Sequence, residues 1–117
     1  RLQGDWSSDV CSSDLGCDPK KIHAVDIVRP YFMKAVQASG MSVIKVVFRQ
    51  FKPHGVTGLV LVEESHISIH TWPEERFAAV DVFSCGSKID IDNVAHILKN
   101  GCDAADVSVQ HIRRGLL

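Results

Sequence analysis

The stretch EESHISIHTWPEE, Glu63 to Glu75, gathers two histidines, two serines and a threonine ahead of a Trp-Pro pair. An imidazole with an ordinary pKa of about 6.5 takes and returns protons at neutral pH. A serine hydroxyl is a poor nucleophile until a strained amide, oxyanion donors or a nearby base activates it. Read as a strand, the stretch alternates, with His66, Ser68 and His70 on one face and Ile67, Ile69 and Thr71 on the other. That pattern fits a solvated sheet surface or a reactive one. Ser65 and His70 stand five positions apart, so a regular strand points them to opposite faces. Either the chain bends or bulges after Ser65, or the two residues serve the chemistry from different geometry. Downstream, AAVDVFSCG brings Cys85 to a strand end, where an isolated cysteine is ordinarily a small buried hydrophobe.

Several elements must position these residues. Asp18 is a good N-cap with Pro19 at the first helical position, and Ile22, Val25, Val28, Phe32, Ala35 and Val36 follow at helical spacing. Pro30 lies inside that pattern, which predicts a kink or two shorter helices, and Gly40 ends it. MSVIKVVFRQF, VTGLVLVEE, SHISIHTW and RFAAVDVFSCG read as strands, DIDNVAHILKNGC as a second helix and DVSVQHIRRG as a last strand. The order predicts an α+β fold, a two-layer α/β sandwich whose mostly antiparallel sheet carries two helices on one face.

The chain has 117 residues, room for one core, with 45% apolar and 23% charged residues. A net charge of −1 without a basic block argues against nucleic acid or a membrane surface as partner. No apolar run is long enough to span a membrane and no signal-peptide pattern is present, so the cytoplasm is the expected location. Cys11, Cys17, Cys85 and Cys102 lie far apart without a CxxC pair, which argues against a zinc site or a disulfide framework, and no metal is expected. His23, His54, His66, His96, His111 and Cys102 are expected to have ordinary packing or surface roles.

Asp5 to Leu15, DWSSDVCSSDL, is residue for residue one reading frame of a common sequencing adapter. Residues 1–15 are therefore expected to be a non-native, weakly packed tail, and the domain is expected to occupy residues 16–117.

ESHISIHTWPE, with GCDPKKI and FKPHGVTGLVLVEE before it and AAVDVFSCG after it, resembles the prokaryotic-type S-adenosylmethionine decarboxylase proenzymes from about Gly16 to Gly115. The resemblance implies a pyruvoyl-dependent lyase that makes its own cofactor by self-cleavage between Glu64 and Ser65. A β chain would end at residue 64 and an α chain would start at 65. Ser65 would become the pyruvoyl group that holds substrate as a Schiff base. His70 would be the processing base, Thr57 its hydroxyl support where many relatives carry serine, and Cys85 the proton donor. Glu74 and Phe51 would bind substrate ribose and adenine. S-adenosylmethionine would be decarboxylated to the aminopropyl donor for spermidine, by a homodimer of processed protomers with active sites at the interface. A pyruvoyl arginine decarboxylase of the same family and an unprocessed, non-catalytic homologue are the alternatives.

Overall fold

In the computed structural model, residues 8–63, 65–84 and 89–114 are described. Asp18 does cap a helix, its carboxylate accepting from Lys20 N–H, but that helix is a single 3₁₀ turn, Pro19–Lys21. The long helix α1, Val25–Ala38, starts only after a break at residues 22–24. The division thus falls before Val25 rather than at Pro30, which sits inside a continuous α1. Val28 before the proline and Phe32, Ala35 and Val36 after it are all buried. Burial on both sides holds the helix together across one missing backbone hydrogen bond. Ala24 has no side chain with which to cap α1. Gln50 Oε1 serves instead, accepting from Val25 N–H at 2.8 Å.

The strands are β1 (Ser8–Gly16), β2 (Val43–Gln50), β3 (Val56–Val62), β4 (Ser65–Trp72), β5 (Phe77–Ser84) and β6 (Asp106–Arg114), with α2 (Ile91–Gly101) between the last two. They form one sheet in the order β2-β3-β4-β5-β1-β6, antiparallel throughout. The expected α+β sandwich is therefore present. Val56, Val60, Val62, Ile67, Ile69, Ala78, Val80 and Val82 face one way and form the core with Val28, Phe32, Val36, Val94 and Leu98 of the helices. The opposite face is open, with Val47 and Leu61 among its exposed apolar side chains. Among the described residues, no helix is long and apolar enough to cross a membrane.

Part of the expected tail, from Ser8 on, is a strand. β1 is an interior strand, pairing with β5 from Asp9↔Ser84 to Gly16↔Phe77 and with β6 from Ser8↔Arg114 to Gly16↔Asp106. Strand pairing uses backbone groups that every residue but proline carries, so a Ser/Asp-rich run can fill the slot between two strands. The amides of Val10 to Leu15 should therefore exchange with deuterium as slowly as those of β4 and β5. Exchange at the rate of an unstructured peptide would show that the strand does not hold.

Candidate active site

Two polar side chains and a glycine build one end of the sheet. Thr71, only 6% exposed, donates its hydroxyl to Ile22 O at 2.7 Å and accepts from Val56 N–H at 2.8 Å. Gln50 Nε2 reaches the carbonyls of His23, Phe51 and Gly55 at 3.0, 3.1 and 3.0 Å. Gly55 itself has φ +114°, which side-chain-bearing residues rarely adopt, and the space where a Cβ would stand is 3.3 Å from Thr71 O. The β2–β3 turn is thus pinned against the end of β4.

Between them lies a cleft of about 330 Å³ lined by Phe51, His54, Gly55, Thr57, His70, Thr71, Trp72 and Glu74. Four of the residues singled out in the sequence meet here: Phe51, Thr57, His70 and Glu74. Thr57 and His70 face each other across β3 and β4, and Thr57 Oγ1 hydrogen-bonds His70 Nδ1 at 3.1 Å. That bond fixes the imidazole's orientation and leaves Nε2 for a reaction partner. The Arg49 guanidinium lies 5.0 Å from the Phe51 ring centroid, so one face of that ring already carries a cation.

Ser65 is not in the cleft. It is the first residue of β4, paired with Val62 and sharing the parity of the buried Ile67 and Ile69. β4 runs unbroken from Ser65 to Trp72, so of the two alternatives open from the sequence the bend after Ser65 is absent. Five residues at about 3.3 Å each put Ser65 roughly 17 Å along the strand from His70, on the other face. Among the described residues, the Ser65 Oγ is the one buried side-chain nitrogen or oxygen atom without a hydrogen-bond partner. Glu64 and Cys85 lie outside the described residues.

Trp72 and His54 are among the four cleft residues not singled out from the sequence for this site. Trp72 tilts against His70 and Phe77, with ring centroids 6.1 and 5.5 Å away. The strand pattern put it at the end of β4 but carried no sign of its neighbours. His54 Nε2 lies 2.7 Å from Glu74 Oε2, across twenty positions that no local spacing rule connects. Among the described residues, no group of three or more metal-ligating side chains occurs.

Glu74 is held below the usual carboxylate range, first by its own backbone N–H and then by His54. A carboxylate lowered on folding stabilises the fold above its unfolded pKa. That contribution is lost as pH falls through the folded value. In His54→Ala the Glu74 carboxyl, followed by NMR titration, should move up part of the way, because its amide contact remains. No movement would show that His54 does not act on it.

The sequence profile of the S-adenosylmethionine decarboxylase family matches residues 11–115, starting inside β1. The S-adenosylmethionine decarboxylase proenzyme of Pyrococcus abyssi is 43% identical over 101 residues, 86% of this chain and 73% of its own length. That of Acidithiobacillus ferrooxidans is 39% identical over 99 residues, 85% of this chain and 74% of its own. The crystal structure of the adenosylmethionine decarboxylase from Aquifex aeolicus superposes with a TM-score of 0.82 at 32% identity, covering 97% of this chain and 93% of that one. The chain belongs to the prokaryotic-type S-adenosylmethionine decarboxylase family.

Proposed function

We propose that this chain is a self-processing, pyruvoyl-dependent decarboxylase of S-adenosylmethionine, supplying the aminopropyl donor for spermidine, and that two copies build each active site. The observation that carries the first part is the Ser65 hydroxyl, buried and without a hydrogen-bond partner at the head of β4, next to the bond to be cut. A buried polar atom left unsatisfied costs free energy, about 1–3 kcal/mol, and is tolerated where chemistry uses it. Its acyl target is the adjoining carbonyl of Glu64. Once formed from Ser65, a pyruvoyl group supplies an electrophilic carbonyl that holds the substrate amine and accepts electrons as CO₂ leaves.

The second part follows from the separation of Ser65 and His70. A base must come within hydrogen-bond reach of its proton, and a strand length of roughly 17 Å forbids that within one copy. Thr57 and His70 lie on the open face of the sheet, where exposed Val47, Leu61 and Trp72 also suit a second copy. A two-fold partner laid sheet to sheet with its β4 reversed brings its His70 end beside the first copy's Ser65 end. Ser65 pairs with β3 alone, since the β4–β5 register starts at His66, so its segment has freedom to turn. Each composite site then takes the nucleophile from one copy and the oriented imidazole from the other.

Within the cleft, Thr57 holds His70 for proton transfer, Glu74 accepts from the substrate ribose, and Phe51 offers the ring face away from Arg49 to adenine. Cys85 returns the proton to the substrate α-carbon after decarboxylation. Residues 1–15 are a foreign replacement, of which Ser8 to Leu15 take the place of a native first strand, and the cytoplasm is the site of action.

Complementation tests the shared site. Ser65→Ala and His70→Ala should each remain a single chain on a denaturing gel. When the two are co-expressed, the His70→Ala copies should be cleaved at Ser65. Absence of cleavage in a mixed dimer, with the wild type cleaved, would place both residues in one copy and sink the shared site. CO₂ release from labelled S-adenosylmethionine, with arginine run beside it, tests the substrate. Cys85→Ala should still cleave itself, yet its CO₂ release should fall by roughly 100-fold or more. Full turnover there would remove Cys85 from the mechanism.

A further inference from the structure

Cys17 and Cys102 are remote in sequence, and neither the cleft nor the cleavage site uses them. The fold nonetheless buries both, leaving 4% and 1% exposed. Cys17 follows the last residue of β1, and Cys102 follows the last residue of α2. Backbone bonds flank the pair on both sides: Asp18 N–H donates to Cys102 O at 3.1 Å and Ala105 N–H to Gly16 O at 3.0 Å. The two side chains act on each other's ionisation, and Cys102 Sγ donates to Leu98 O at 3.0 Å. The mutual influence keeps the proton on Cys17, far above the usual thiol range, and lowers Cys102. A single cysteine here would be an ordinary small core residue. Two buried cysteines on segments tied to each other by backbone bonds on both sides are a partner set for sulfur chemistry.

There is also a way in. A cleft of about 640 Å³, the larger of the two discussed here, is lined by Cys17 together with Pro19, Lys20, Arg76 and Asp103. It contains none of the residues assigned to decarboxylation.

We propose that Cys17 and Cys102 form a redox-modification site that closes an intramolecular disulfide, with a small hydroperoxide as the oxidant. One sulfur attacks the peroxide O–O bond, which breaks to give S–OH and, for hydrogen peroxide, water. The second sulfur displaces that hydroxyl, which leaves as water, and the S–S bond forms. Two thiols and one hydrogen peroxide give one disulfide and two waters, so the sulfur pair loses the two electrons that the peroxide gains. A further consequence rests on the cleavage proposed above. Cys17 lies before Ser65 and Cys102 after it, so in the processed protein this bridge is a covalent tie between the two chains.

The test treats purified protein with hydrogen peroxide, blocks remaining thiols with N-ethylmaleimide, and compares denaturing gels with peptide maps. The expected map contains a peptide pair joined through Cys17 and Cys102, two hydrogens lighter than the separate peptides. Processed protein should then run as one species near the 12.9 kDa of the whole chain without reductant, and as two chains with it. Cys17→Ser and Cys102→Ser should each lose the link, whereas Cys11→Ser should keep it. Uncleaved Ser65→Ala should give the same joined peptides, so a failure of processing leaves the bridge readable. Recovery of both cysteines as separate maleimide adducts, or as sulfinic acids, would overturn the proposal, as would a link surviving in Cys17→Ser.

Discussion

A pleated strand turns one face to the core at every second residue, and in this molecule that rule decides where the chemistry can happen. Ile67 and Ile69 of β4 are buried in the core with the helices, and Thr71 is buried beside Ile22 and Val56. Slipping the strand by one residue would bring His66, Ser68 and His70 into the core and push two isoleucines into water, so the register is firmly set. With it comes the placement of Ser65 on the core side and His70 on the open side. An odd spacing of five cannot be reconciled on a straight strand. A nucleophile and base on such a strand must act separately or find each other in another copy.

The cleft end of β4 depends on polar groups that are fully used. Thr71 bonds on both sides of its hydroxyl, and Gln50 bonds through both ends of its amide. Each hydrogen bond contributes only about 1 kcal/mol net, but stranding a buried partner costs about 1–3 kcal/mol. The arrangement therefore stabilises modestly and specifies strongly. It sets the β2–β3 turn and the break before α1 at one distance from His70 and Glu74.

Much of this was legible in the sequence. β2 to β6 and α2 follow their apolar periods, and the alternation of β4 named the open-face histidines correctly. The misreadings share a cause. Pro30 marked a break by local rule, but burial of α1 on both sides outweighed one lost hydrogen bond, and the break went to residues 22–24. β1 has the composition of a loop, and no side-chain pattern reports that two neighbouring strands stand ready to pair with it. The Cys17–Cys102 and His54–Glu74 pairs are tertiary contacts, invisible to any spacing rule. Four of the six residues assigned roles could be found together because motif resemblance carried them. The separation of Ser65 from them was visible only as a parity problem.

The strand order gives the proposed cleavage before Ser65 a particular meaning. β1, β2 and β3 belong to the upstream piece, and β4, β5 and β6 to the downstream piece. The sheet interleaves them: β3 borders β4 at one seam, while β1 is inserted between β5 and β6 at two more. α1 of the first piece also packs on α2 of the second. Separating the pieces would mean breaking three backbone ladders and opening the core at once, so such a cut would remove one covalent bond without loosening the fold. Such a chain can sacrifice a peptide bond to make a functional group because its topology, rather than its continuity, holds the two halves in place.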